Sequence, residues 1–458
     1  MVLNYILTGS FFFLVLASQI CSKDVADVGN RNAPDSLRLN PGFNIHKVVE
    51  TSKKLPSRSW EFGTESEALL ELYNPELSIH GNNPSGKDVY KPDQVKALVY
   101  AKEKIVIGTG ANALSDDRKY ANAAKDQVEY VYGGAPRWFN GAISHRVDHP
   151  ALWADFIYMA PPYLAYCGVV ENNATTLREA VDQISLYHDV LRMNVTTNAT
   201  GVPPTNHKAV GKGSWEDIID INPNASDSGL WSTGNGWAAA GAMRVLATVI
   251  KAPKNFTDGF RQDAITRVSS IIRDILDAAI RMPRADNNLL RNYLDDPSWF
   301  GEISGSSVLA STAVRLATFG QEIGLTPNEA YRYAEFAQNI RLTLGNGKHI
   351  SASGTAFPAI NPLDWNDRIE FTQGSPEDNA FIGLLFAAWR DCVQANTPGC
   401  WRYGTHHLRR SLFISYLFLL SLFTTNRSVD PEWVYAVYCY FYYVIRDRWE
   451  QNFEGIHY

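Results

Sequence analysis

Cysteine is scarce in this 458-residue chain, and blocks of basic residues are absent. Five cysteines, at positions 21, 167, 392, 400 and 439, are too few to build a disulfide scaffold of this size, although Cys392 and Cys400 are spaced to close one small loop. With no Lys/Arg-rich run, a formal net charge of −6 and a pI near 6.0, the chain is unsuited to a polyanion such as nucleic acid as its main partner. A local basic pocket is still compatible with that balance. Alternating strand patterns are missing, and no fixed repeat period emerges, which argues against sheet-built and solenoid architectures. Long apolar runs are missing too: the two aromatic stretches near the end, "SLFISYLFLLSLF" and "WVYAVYCYFYYVIRDRW", offer about 12 to 14 apolar residues each, short of the roughly 20 needed for a stable membrane span.

What is present is a large supply of apolar and aromatic residues, 45% and 12% of the chain, the latter as 12 Trp, 22 Tyr and 21 Phe. Sugar-binding clefts and large cores both use such rings. Length alone permits one large domain or two or three ordinary ones. The N-terminus, "MVLNYILTGSFFFLVLASQICSKD", carries an apolar region from Tyr5 to Ile20 and then small and polar residues, the pattern of a secretory signal peptide over residues 1–22. Its n-region lacks Lys and Arg, and a single membrane anchor is the competing reading. Sequons at Asn173, Asn194, Asn198, Asn224 and Asn255 favour a secreted, extracellular glycoprotein. Residues 23–56 are polar and turn-rich and read as a linker or arm.

From residue 57 the signals are helical. Ala68, Leu69 and Leu72 recur at helical spacing before Asn74-Pro75, and about ten segments between here and residue 395 carry an apolar stripe at i, i+3 or i+4. They include "LWADFIYMAPPYLAYCG", "NGWAAAGAMRVLATVIK" and "SGSSVLASTAVRLATFGQ". The last two open with small residues and are apolar on most of their surface, so other helices must bury them, as in the inner layer of a two-layer toroid. A plain helical bundle is the alternative. Residues 396–458 read as an apolar aromatic appendage of unknown role.

Four polar clusters stand at helix edges. They are "NGAISHR" (140–146), Asp155 within an apolar run, "GLWSTGNGWAAAG" (229–241) and "LDDPSWFGEISGSS" (294–307). An unpaired carboxylate among Trp153, Phe156 and Met159 costs several kcal/mol to bury, or keeps its proton. Asp155 is therefore either paired, with His145 or Arg146 nearest in sequence, or retained for chemistry. Trp231 and Trp237 serve equally as packing or as sugar platforms, and Asp295-Asp296-Pro297 equally as a turn.

Taken in order and separation, "LWADFIYMAPPYLA", "GLWSTGNGWAAAG" and "DDPSWFGEISGSS" resemble the unsaturated rhamnogalacturonyl hydrolases of glycoside hydrolase family 105, over roughly residues 57–395. The resemblance implies an all-α (α/α)6 barrel, the six-hairpin glycosidase fold. It also implies an oligosaccharide substrate whose non-reducing end is a 4,5-unsaturated uronic acid left by a pectin lyase, and no metal or organic cofactor. By the same resemblance Asp155 is the catalytic acid, and His145, Arg146, His207, Trp231, Asn235, Trp237 and Glu302 contact substrate. Thr233 stands where many relatives carry Arg. The family's second aspartate, on an earlier helix, has no convincing match; Asp116 or Asp117 is the nearest candidate. An ordinary two-carboxylate glycosidase, pairing Asp155 with Asp296 or Glu302, and a noncatalytic sugar-binding relative are the alternative readings.

Overall fold

The computed structural model describes residues 40–84, 90–105, 116–193, 211–361 and 363–400, with the side chains of residues 116–119 and 121 outside that description. The signal-like segment 1–22, His207, the sequons at Asn194 and Asn198 and the tail from residue 401 lie outside the described residues.

The helices are α1 (Ile45–Ser52), α2 (Ser59–Tyr73), α3 (Lys96–Lys104), α4 (Asp116–Glu129), α5 (Phe156–Met159), α6 (Pro161–Val170) and α7 (Ala174–Leu191) in the first half. Then come α8 (Ser232–Lys251), α9 (Lys254–Thr257), α10 (Arg261–Arg281), α11 (Ile303–Thr318), α12 (Pro327–Leu344) and α13 (Pro376–Gln394). Helices α2, α6, α8, α11 and α13 are buried along nearly their whole length, whereas α7, α10 and α12 bury one face each. The difference follows from composition. Helix α10 alternates Ile265, Val268, Ile272, Ile275 and Ala279 with charged residues, so it has one dry side. Helix α11 is built from Ser, Ala, Val and Leu and has no wet side to offer. Outer helices pair with inner ones in sequence, α6 with α7, α8 with α10 and α11 with α12, while α8, α11, α13 and α2 adjoin in turn. This is the two-layer helical arrangement expected of an (α/α)6 barrel.

Inner helices approach closely because small residues face one another. A Cβ on Gly305 would lie 2.2 Å from Ser232 Oγ, so the first turns of α8 and α11 touch only because that position is glycine. At the opposite end of the inner helices a buried ion cluster crosses the barrel. Arg244 of α8 binds Glu67 and Glu71 of α2 at 2.7 Å each, and Arg315 of α11 binds Glu71 at 2.7 Å and Asp391 of α13 at 2.6 Å.

Three expectations are corrected. Residues 45–52, placed in the linker, form α1: Asn44 caps it, and Ile45, Val48 and Val49 give it an apolar stripe that packs on α13. The run from Leu152 is not helical throughout. Ala151–Trp153 is strand β1, paired antiparallel with β2 (Ile218–Asp220), and the helix begins only after Asp155 and breaks at Ala160, before Pro161-Pro162. The last helix ends at Gln394, but the compact unit runs past the expected boundary at 395 to the buried Cys400, which is disulfide-bonded to Cys392. No helix of the described residues is long and apolar enough to cross a membrane.

Candidate active site

The β1–β2 ribbon fixes the acid at the centre of the site. Its register pairs Trp153 with Ile218, and one residue further the Ala154 N–H donates to the Asp217 carbonyl at 2.9 Å. The chain then turns into the single-turn helix α5. Asp155 holds the N-cap position, yet its side chain makes no capping bond, so the carboxyl is free of the usual task at such a place.

Asp155 lines a cavity of about 270 Å³. Five of the twelve Trp line it as well: Trp60, Trp153, Trp231, Trp237 and Trp365. Trp365 bridges two of them, meeting Trp153 edge-on at 5.8 Å and Trp231 at 6.0 Å, which gives one continuous aromatic wall. Several lining residues come from helix beginnings: Trp60 and Glu377 from the first turns of α2 and α13, Thr233 and Ser304 from those of α8 and α11, and Asp155 ahead of α5, while His145, Arg146 and Asp217 come from the segments flanking the ribbon. Helix N-termini carry unsatisfied N–H groups and the positive end of the dipole, so such a convergence favours an anionic ligand.

Burial sets the protonation states. Asp155 Oδ1 is shut off from solvent and has no hydrogen-bond partner, and desolvation holds the group's pKa up to about 7. Asp217 lines the same cavity, almost wholly buried, with its own Oδ1 unpartnered; desolvation and then the charges of Asp155 and Asp227 push it far above the usual carboxylate range. Glu377 is raised to about 7, again mainly by burial, while it accepts from Trp60 Nε1 at 3.0 Å and Ser375 Oγ at 3.0 Å. His145 is pressed flat on Trp153, centroids 4.9 Å apart, and burial lowers it to about 4, so it is neutral. The Ser304 hydroxyl is buried without a partner, and the Thr233 side chain stands beside Glu302.

The expected site residues separate into two groups. Asp155, His145, Arg146, Trp231 and Trp237 all line the cavity. Arg146 already spends its fork on Asp148, Nε to Oδ1 at 3.1 Å and Nη2 to Oδ2 at 3.2 Å, and His145 Nδ1, like Asp155 Oδ1, is buried without a hydrogen-bond partner. Asn235 and Glu302 do not line it and are corrected. Asn235 is fully buried, accepting from the Trp215 N–H at 2.8 Å and donating to the carbonyls of Trp215 and Trp231 at 2.9 Å. Glu302 caps α11 by accepting from Gly305 N at 2.7 Å and ties it to α8 through Ser232 Oγ at 2.6 Å. Asp296 lies in a partly exposed turn, bound to Ser298 and Arg368, so neither acid offered as a counterpart to Asp155 stands across the cavity from it. His207 is outside the described residues, as are the side chains of Asp116 and Asp117 at the start of α4. Among the described residues no group of acids, histidines or cysteines is arranged to hold a metal ion.

Residues 111–316 match the sequence model of Glycosyl Hydrolase Family 88. The chain is 24% identical over 204 residues to the unsaturated rhamnogalacturonyl hydrolase YesR of Bacillus subtilis (strain 168), a match covering 43% of this chain and 52% of that protein. The matched segment makes the chain similar to glycoside hydrolases of families 88 and 105. It spans about half the length of that curated relative. In fold it is similar to possible members of family 105 from Klebsiella pneumoniae and Salmonella enterica, with TM-scores of 0.55 and 0.54. Both are 17% identical to it, and each comparison covers 81% of this chain and 97% of the other. A structure of an unsaturated glucuronyl hydrolase specific for heparin, 13% identical, aligns at a TM-score of 0.52 over 80% of this chain and all of that one.

Sequence reading missed Asp217, Trp60, Trp365 and Glu377. Asp217 carried a usable signal, since "SWEDIID" places an acid directly before a strand-like Ile-Ile pair, but its neighbour in space, Ala154, is far away in the chain.

Proposed function

We propose that this protein is a secreted hydrolase that removes a 4,5-unsaturated galacturonyl residue from the non-reducing end of rhamnogalacturonan oligosaccharides. Asp155 donates its proton to C4 of the C4=C5 enol ether, and positive charge develops at C5 and the ring oxygen. Water adds at C5 and returns its proton to the Asp155 carboxylate. The resulting hemiketal opens and releases the remaining sugar, with no covalent bond to the protein at any stage.

One observation carries this reading: a carboxyl without a partner, kept protonated by burial, on the wall of a tryptophan-lined cavity where helix N-termini converge. The aromatic wall suits a flat, partly unsaturated ring, and the helix ends suit its carboxylate. The match of residues 111–316 to the Glycosyl Hydrolase Family 88 model and the named activity of the Bacillus relative support the same substrate class. Secretion is supported by the N-terminal apolar run and by the exposed sequon asparagines Asn173, Asn224 and Asn255. The test is to incubate the protein with an unsaturated galacturonyl-rhamnose disaccharide in D2O. Loss of the ultraviolet chromophore with deuterium at C4 of the released acid is expected. Release of sugar with the chromophore intact would instead mean ordinary two-carboxylate hydrolysis.

A further inference from the structure

Asp155 is not the only acid on the cavity wall without a partner. Asp217 faces the same space from the neighbouring strand end, and the two are locked together through the main chain by the Ala154 N–H to Asp217 carbonyl bond. Helix α8 is shaped around its carboxyl: a Cβ on Gly234 would lie 2.4 Å from Asp217 Oδ1. Resting on the assignment of Asp155 as proton donor, we infer that Asp217 is a positioning residue that shares a proton with Asp155, so that the pair retains one when the first has been lost.

The surroundings leave the pair little else to lean on. Asp227, on the chain returning beside β2, faces Asp217 with its own charge, but its oxygens take the Tyr293 hydroxyl and the Gly229 N–H. Tyr293 itself stays protonated, pushed up by burial. His145 is neutral, and Arg146 is committed to Asp148. Two like carboxyls in one dry site titrate as a unit, and the second proton leaves with far more difficulty than the first. In turnover that proton passes from the pair to C4 of the substrate, leaving the pair with one additional negative charge. The added water gives the proton back, so the pair ends as it began. The like charge of Asp217 beside the newly formed Asp155 carboxylate makes this return favourable.

The experiment compares kcat against pH for wild type and Asp217→Asn on the unsaturated disaccharide, with Asp155→Asn as control. Wild type is expected to hold its activity into the mildly alkaline range. In Asp217→Asn the ratio of kcat at about pH 8 to that at about pH 5 is expected to fall at least about tenfold relative to wild type, one pH unit of displacement. Gly234→Ala, which forces the Asp217 carboxyl aside, is expected to lower the same ratio, and it serves as the readout if Asp217→Asn does not fold. A uniform loss across pH, or an unchanged profile in both variants, would reduce Asp217 to a structural residue and overturn the inference while leaving Asp155 as donor. Full activity in Asp155→Asn would overturn the donor assignment itself, and with it the pair.

Discussion

Asn235 shows how far a single residue can be read from its neighbours in the chain. Placed between Trp231 and Trp237 it suggests a sugar contact, yet its amide closes three main-chain bonds that hold the segments at Trp215 and Trp231 together. Replacing it with Ala leaves those groups buried and unpaired, so Asn235→Ala should lower stability by about 1–3 kcal/mol in urea unfolding. KM for any surviving folded protein should change little. Asp155 was legible because one acid among apolar residues has few bland uses, and the structure gives it none of them. Asp217 was less so: the acid before Ile218-Ile219 hints at a strand start, but the pairing that joins it to residue 154 has no local pattern to report it. Glu302 was misread for a similar reason: an acid before a helix is equally a cap, and here the cap is what it makes.

Among the elements, the long helices were legible because their apolar spacing is strong; α10 occupies the expected residues, Arg261–Arg281. Short elements were less so, since α1 has only two turns of stripe and the three-residue strands have no period to show. The inner helices also carry charges that no periodicity explains. Glu71 accepts from both Arg244 and Arg315, linking α2, α8 and α11 at the end of the barrel away from the aspartates. Removing one member of a buried ion cluster strands the others without compensation, at a typical cost of about 3–5 kcal/mol. Glu71→Ala should therefore lower the unfolding midpoint far more than an exposed charge such as Glu50→Ala, whose partner Lys53 is a surface residue. Equal effects would mean that the cluster is replaceable packing.

For the molecule as a whole, the buried acids make stability depend on pH in an uncommon direction. Asp155, Glu302 and Glu377 are raised to about 7 and Asp217 and Asp378 higher still, each chiefly by desolvation. Because these groups bind protons more tightly folded than unfolded, the stability they contribute is fully present below their unfolded pKa near 4 and is lost as pH rises through the folded values. His145, lowered to about 4, has the opposite sign and contributes above its unfolded value near 6.5. Above about pH 6.5 the raised acids outnumber groups of opposite sign such as Lys251, lowered to about 8 by burial, so the melting temperature should fall between about pH 6.5 and pH 8. Asp155→Asn should flatten that slope. The same retained proton underlies the proposed chemistry, and the most direct check is the rate of chromophore loss from the unsaturated disaccharide for wild type and Asp155→Asn side by side. Consumption by wild type, with the variant folded but slower by about 10²–10⁴-fold, is the predicted result; equal rates for the two would contradict it.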